Sequence, residues 1–316
     1  MSPPRRRGGP ARPGPRPGAR PAARPGASPA GRAPALPPRA TWEPLLQLAL
    51  AEDLGTGDRS SNLVIPAERR GAARIEARAP LVACGLALAE AAFIALDPGL
   101  RFEAVRRDGE PCEPGAVLAR VAGPLRPLLA AERTALNFLG RLCGVASLTR
   151  RFVEAVAGTG VAIVDTRKTL PGWRALDKYA AAVGGAVNHR ARLDDGILLK
   201  DNHVAAAGGV AAAVRAARAG APPQLRIQVE VESLAEAEAA LAAGADFLLL
   251  DNRSPAELRA IARALGGRAL LEASGGVTLA NVRAIAESGV QRISVGALTH
   301  SAPAADVALE LEAGGG

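Results

Sequence analysis

Only three lysines occur in a chain that carries 36 arginines, and two of them stand in segments dense with other polar groups. Wherever arginine would serve, the compositional bias has had the chance to install it. Lysine at Lys168 and Lys200 therefore points to sites that need a compact ammonium rather than a planar fork. Lys168 closes the run Asp165-Thr166-Arg167-Lys168, and Lys200 opens Lys200-Asp201-Asn202-His203. Together with His189 and Arg190 they make a cationic group, Arg167, Lys168, His189, Arg190 and Lys200, suited to a ligand with several carboxylates or phosphates. Glu230 and Asp251 add carboxylates of the kind that hold Mg²⁺ on a pyrophosphate through one or two protein ligands. Ser274-Gly275-Gly276 and Gly296-Ala297 leave backbone N–H groups free ahead of a helix, which is a phosphate cradle. No serine or cysteine nucleophile stands out, so the chemistry implied is electrostatic rather than covalent.

Such groups act together only if the fold gathers them. Apolar runs recur at Val161–Val164, Ile197–Leu199, Ile227–Val231, Phe247–Leu250, Ala269–Leu271 and Ile293–Val295, each a candidate buried parallel strand. Alanine-rich helical stretches such as Leu234–Ala243 and Pro255–Leu265 lie between the later ones. That alternation predicts a parallel α/β barrel. Asp165 to Lys168, Lys200, Glu230, Asp251, Ser274 to Gly276 and Gly296 then fall at the C-terminal ends of runs, the face on which barrels carry active sites. Ahead of the barrel, Trp42–Leu54 has the spacing of an amphipathic helix ending at Gly55. Residues 72–121 mix short apolar runs with turn signals such as Asp97-Pro98-Gly99 and Glu113-Pro114-Gly115, which fits an α+β unit. Gly55-Thr56-Gly57 lacks a preceding strand and is expected to be a turn, not a dinucleotide fingerprint.

Charge is divided unevenly. Residues 1–40 hold nine arginines, twelve prolines and no acidic residue, and are expected to form a disordered tail. The chain's formal +8 and the tail's +9 leave −1 for residues 41–316, so neither nucleic acid nor a membrane is expected as partner of the folded part. Cys84, Cys112 and Cys143 have no metal-ligand spacing and are expected to be structural, reduced thiols of a cytoplasmic protein. Of the histidines, His189, followed directly by Arg190, is expected in the site. His203 and His300 are expected to be packed, hydrogen-bonded core residues.

Several segments resemble one family. These are Glu-Arg-Thr-Ala-Leu-Asn at 132–137, Asp-Thr-Arg-Lys-Thr-Leu-Pro-Gly at 165–172, Asn-His-Arg at 188–190 and Leu-Lys-Asp-Asn-His at 199–203. Glu-Val-Glu at 230–232, Leu-Asp-Asn at 250–252, Ala-Ser-Gly-Gly at 273–276 and Val-Gly-Ala-Leu-Thr-His-Ser at 295–301 extend the match. Together, from about residue 41 onward, they are similar to quinolinate phosphoribosyltransferase, also called nicotinate-nucleotide pyrophosphorylase (carboxylating). The resemblance implies an N-terminal α/β sandwich, expected over residues 41–143, and an incomplete parallel α/β barrel, expected over 144–301. A C-terminal helix over 302–316 is expected to pack back on the first domain. It further implies transfer of phosphoribosyl from phosphoribosyl pyrophosphate to quinolinate with loss of CO₂, on the route to NAD, in a cytoplasmic homodimer with shared sites.

Carried over by position, the resemblance gives Arg133 from the partner subunit, with Arg167, His189, Arg190 and Lys200, to quinolinate. Lys168 would lie between the substrates, Glu230 and Asp251 would serve Mg²⁺ and ribose, and Ser274, Gly275 and Gly296 would hold the 5′-phosphate. Lys168, Glu230 and Asp251 are thus the expected catalytic set, and Mg²⁺ the expected cofactor. Arg59-Ser60 and the residues flanking Gly184-Gly185 depart from the family pattern without touching a proposed ligand. The alternatives are a relative of the same fold acting on another aromatic acid or base, a Schiff-base barrel lyase, and a binding protein working through its basic tail.

Overall fold

The computed structural model describes residues 34–312. Helix α1 (Glu43–Leu54) turns Leu46 and Leu50 into the core and ends at Gly55, which with Gly57 forms the expected turn. Asp58 starts α2 (Arg59–Val64) by accepting the Ser61 N–H, satisfying a donor the first turn leaves open. Strands β1 (Arg70–Ala77) and β2 (Leu81–Val82) follow, then α3 (Leu86–Leu96), β3 (Arg101–Ala104), β4 (Pro111–Cys112) and β5 (Val117–Pro124). One face of β1, carrying Ala73, Ile75 and Ala77, is fully buried, whereas Arg74 alternates to the outside, as the period of two requires.

Helix α4 (Leu125–Ala155) is 31 residues long. Leu128, Ala131, Ala135, Phe138, Leu142, Val145 and Phe152 recur on it at three- and four-residue spacing and are all buried. Full burial of each leucine or phenylalanine contributes roughly 1.5–3 kcal/mol. The expected domain boundary at 143/144 falls inside this helix, so no linker separates the two halves; one continuous rod belongs to both cores.

The barrel half begins with β6 (Ala162–Val164) and α5 (Arg174–Gly184), then β7 (Ile197–Leu199), α6 (Asp201–Ala206), α7 (Val210–Gly220) and β8 (Ile227–Val231). It continues through α8 (Leu234–Ala243), β9 (Phe247–Asp251), α9 (Pro255–Leu265), β10 (Leu270–Ser274), α10 (Val282–Ala286), β11 (Arg292–Ser294) and α11 (Ala297–His300). Ser233 and Ser254 cap α8 and α9, and Gly244 and Gly266 end them in the left-handed conformation. All six strands are parallel, in the order β6-β11-β10-β9-β8-β7. The first strand pairs with the last, as in a barrel, while β6 and β7 remain unpaired with each other; only a bridge from Val164 to Val187 extends past β6. The incomplete parallel barrel expected from the apolar runs is therefore present, with strand positions within a few residues of those predicted.

Two expectations need correction. Residues 302–316 do not form a helix: Val307–Leu311 is strand β12, which pairs antiparallel with β1 in a four-stranded sheet of order β12-β1-β5-β3. The expectation that the segment packs back on the first half holds, but through a sheet edge, because a β1 edge offers backbone partners to an extended chain. The crossing requires Gly144, where a Cβ would lie 2.0 Å from the Pro303 carbonyl oxygen. Residues 1–33 and 313–316 lie outside the described residues. The tail's expected end at 40 is too late, since Leu36 packs against the core and the Pro37 carbonyl accepts the Trp42 indole N–H at 3.0 Å.

Candidate active site

A cavity of about 600 Å³ opens at the C-terminal ends of the barrel strands. Its wall includes Arg167, Lys168, His189, Arg190 and Lys200 together with Asp251, Ser274, Gly275 and Gly296. Nine residues singled out along the sequence thus share one wall, because parallel strands discharge their following loops on the same side.

The cationic half is tightly held. Lys168 follows a turn in which its N–H donates to Thr166 Oγ1 at 3.0 Å, and its carbonyl accepts from Thr299 Oγ1 at 2.8 Å. Arg174 ties the same loop to the next, donating to Thr169 Oγ1 and to the Ala191 carbonyl, each at 3.2 Å. Arg141 of α4 forms a bidentate pair with fully buried Asp177, at 3.0 Å for both bonds, and also donates to the Thr299 carbonyl. Asp177 in turn accepts the Leu170 N–H at 3.3 Å. Arg190 donates to the Gly196 carbonyl at 2.8 Å. Burial, and then the neighbouring Arg167, lower the Arg190 pKa, so an anion in this pocket relieves both groups.

His189 is poised neutral. Its Nδ1 accepts the Arg190 backbone N–H at 2.7 Å, which puts the ring proton on Nε2, 3.0 Å from Gln228 Oε1. Burial pushes its pKa below the usual value despite the Glu272 carboxylate 3.6 Å away. Glu272 is buried, lines the cavity and has no hydrogen-bond partner on either oxygen.

The opposite half suits a phosphorylated sugar. Asp251 accepts from Ser274 Oγ on one oxygen and from Asn252 Nδ2 at 2.6 Å on the other, so its carboxylate is oriented in advance. Asn252 has φ +51°, among the described residues the sole non-glycine in the left-handed region, a strain that collects at functional sites. Gly275, at φ +85°, leaves no space for a side chain against Asn252. A Cβ on Gly296 would crowd Lys168 and His300, each at 3.1 Å.

The structure departs from the sequence reading at three residues, Glu230, His203 and His300. Glu230 is not in the cavity wall; its carboxylate meets Lys200 Nζ at 3.1 Å beside it. Arg133, expected to serve a second subunit, is exposed on α4 and is accordingly absent from the wall formed by its own chain. His203 is exposed rather than core, its Nδ1 accepting the Lys200 N–H at 3.0 Å. His300 is exposed too and lines the cavity; being four residues after Gly296, it sits one helical turn along on the same face. The reading also passed over Glu272 and Gln228. The available signal was the two-residue spacing that puts Glu272 on the face of Ser274, and Gln228 on that of Glu230. The cysteines are buried as expected, and burial pushes the Cys143 thiol up to about 12 and Cys84 well up, so neither supplies a thiolate.

Comparison with known proteins gives the same picture along the chain. Residues 58–143 match the family model "Quinolinate phosphoribosyl transferase, N-terminal domain", and residues 145–310 match the C-terminal domain of the same family. The nicotinate-nucleotide pyrophosphorylase [carboxylating] of Mycobacterium leprae is 42% identical over 275 residues, covering 84% of this chain and 95% of that protein. The Homo sapiens protein of the same name is 43% identical over 244 residues, 76% of this chain and 82% of that one. The nicotinate-nucleotide pyrophosphorylase structure from Francisella tularensis superposes with a TM-score of 0.83 at 35% identity, covering 87% of this chain and 97% of that one.

Proposed function

The chain belongs to the quinolinate phosphoribosyltransferase family, and from that premise we propose how its cavity carries out the family's reaction. The activity is transfer of phosphoribosyl from phosphoribosyl pyrophosphate to quinolinate with decarboxylation, giving nicotinate mononucleotide, pyrophosphate and CO₂ for NAD synthesis. The observation that carries the residue roles is the division of one cavity wall into a cationic half and a phosphate-cradle half with Lys168 near both.

Quinolinate's two carboxylates are bound by Arg167, His189, Arg190 and Lys200, and Arg133 of a second subunit completes this set. The 5′-phosphate rests on Ser274, Gly275 and Gly296. The ring nitrogen attacks ribose C1 as the C1–O bond to pyrophosphate breaks; positive charge builds on the ribose and negative charge on the leaving group. Asp251, in the wall, stabilises the first, with Glu230 adding negative charge from beside the wall where Lys200 holds it, and Lys168 stabilises the second. Bond making at nitrogen leaves a pyridinium, whose positive charge stabilises the electron pair left on the adjacent ring carbon when its carboxylate departs as CO₂; a proton from water then completes that carbon. His189, kept neutral between the Arg190 N–H and Gln228 Oε1, lies beside the carboxylate without adding a full positive charge that would resist its loss.

Mg²⁺ is the proposed cofactor. Among the described residues no cluster of three or more metal-ligating side chains exists, so a bound Mg²⁺ would take most of its ligands from substrate phosphates and water. Asp251, a hard oxygen donor in the wall, fits it, and Glu230, on the neighbouring strand, would join only on leaving Lys200. Bound with pyrophosphate, it supplies charge neutralisation to the leaving group. A homodimer is proposed because exposed Leu48, Leu63 and Val64 of α1 and α2 leave apolar surface for a second copy. The cytoplasm is the proposed compartment, supported by three free, buried thiols. No helix among the described residues is long and apolar enough to cross a membrane.

Release of CO₂ from carboxyl-labelled quinolinate tests the reaction. Release should require phosphoribosyl pyrophosphate; release without it, or trapping of a lysine adduct by borohydride, would replace this mechanism with a lyase.

A further inference from the structure

We propose that Lys178, which touches neither substrate in the reading above, is a positioning residue that holds the His189–Arg190 segment in the geometry quinolinate binding needs. The inference rests on the assignment of those two residues to quinolinate. It starts from the third lysine of an arginine-rich chain, one that the strand ends leave unexplained.

Lys178 lies on α5 with 4% of its surface exposed, and Asp165, at the end of β6, has none. The ammonium donates to Asp165 Oδ1 at 2.6 Å and to the His189 carbonyl at 2.9 Å. The same Asp165 oxygen accepts the His189 backbone N–H at 2.7 Å. Both polar groups of the His189 backbone are therefore gripped by one buried ion pair. Asn188 joins the grip, its amide donating to Asp165 Oδ2 at 2.8 Å and to the Lys178 carbonyl at 3.0 Å.

The grip sits where the backbone ladder stops. The bridge from Val164 reaches only Val187, and from 188 to 196 the chain has no helix or strand. Side chains must set the path of this segment, and Lys178 and Asp165 set it at the residue that aims the imidazole. An ammonium is the donor that fits, because its proton vectors radiate from one small atom toward a carboxylate on β6 and a carbonyl on the loop. A guanidinium places its donors across a wider plane. Stability does not explain the pair, since two charges taken out of water commonly gain nothing over apolar residues of the same volume. The neighbouring residue strengthens the case: Asp177, about 100° around the same helix, holds the Lys168 loop through Leu170. Consecutive residues of α5 thus fix the two loops that carry the cationic half of the cavity.

The test compares Lys178→Met, the double variant Asp165→Asn with Lys178→Met, and Arg190→Lys as a benchmark for the quinolinate pocket. Each is measured by thermal unfolding and by steady-state kinetics with each substrate varied in turn. Lys178→Met should raise the KM for quinolinate by roughly tenfold or more, and leave that for phosphoribosyl pyrophosphate within a factor of about two. The double variant removes the uncompensated buried charge and should recover melting temperature, yet keep the raised quinolinate KM, because the His189 carbonyl still lacks its donor. It carries the test even if Lys178→Met fails to fold. Recovery of both melting temperature and quinolinate KM in the double variant would make the pair structural and overturn the inference. So would an equal rise in both KM values. If Arg190→Lys itself leaves quinolinate KM unchanged, the pocket assignment fails and the inference falls with it. If Arg190→Lys raises it and the Lys178 variants do not, the inference alone fails.

Discussion

Replacing Gly275 by alanine separates the phosphate cradle from the rest of the cavity, and its neighbour Gly276 provides the control. Both glycines have positive φ, +85° and +59°, so an alanine at either costs roughly 1–2 kcal/mol for the left-handed backbone. Only Gly275 is crowded: a Cβ there would lie 2.1 Å from Asn252 Oδ1 and 2.9 Å from its backbone nitrogen, whereas nothing lies within 4 Å at Gly276. Relieving a 2.1 Å contact toward normal van der Waals separation needs a shift of about 1 Å. That shift moves the Asn252 amide away from Asp251, whose carboxylate it now meets at 2.6 Å. A hydrogen bond to a charged group contributes about 1.5–3 kcal/mol. Gly275→Ala should therefore lose roughly ten- to a hundredfold in kcat/KM for phosphoribosyl pyrophosphate, beyond a drop in melting temperature shared with Gly276→Ala. Gly276→Ala, whose Cβ meets no protein atom and leaves the Asn252–Asp251 contact intact, should lose less in kcat/KM than Gly275→Ala. Melting curves and initial rates with each substrate varied give both quantities. Equal kinetic losses in the two variants, or a loss at Gly275 confined to quinolinate, would refute the reasoning.

Arg190→Lys keeps the charge but gives up the fork that now bonds the Gly196 carbonyl, so quinolinate binding measured by calorimetry should weaken by about 1–3 kcal/mol, with phosphoribosyl pyrophosphate unaffected. Arg133→Ala and Lys168→Ala should each be nearly inactive; mixed under subunit exchange, they should recover about a quarter of wild-type activity, because half the dimers are mixed and one site of each carries neither lesion. No recovery in demonstrably mixed dimers would put Arg133 outside the partner's site. The His189 imidazole should titrate below its ordinary 6.5 by NMR, as burial disfavours its charged form. The unfolded chain then binds that proton more readily, so His189's contribution to stability is present above about pH 6.5 and is lost as pH falls through that value to the folded one. A midpoint above 6.5 would mean that Glu272 outweighs burial.

Strand and helix positions in the barrel half were legible because most runs, such as Phe247–Leu250, are apolar on both faces and the helices between them carry caps such as Ser254 and Gly266. The cavity wall was legible for the same reason, since a parallel sheet sends every strand end to one side and only the ends had to be found. The C-terminal segment was misread: Val307–Leu311 carries no decisive period, and its strand exists because β1 presents an unpaired edge more than two hundred residues earlier in the chain.

Residue types and their order along the chain were thus enough to determine the barrel, the nine wall residues and the cationic character of one half of that wall. Tertiary structure alone decided which charges meet. It spent Glu230 on Lys200, drew exposed His300 into the wall, left Glu272 without a hydrogen bond between His189 and Arg292, and set Lys178 against Asp165. The physical reason is range. Periodicity and capping act within a few residues, whereas the pairing and burial of a charge depend on neighbours the chain supplies from distant strands and loops.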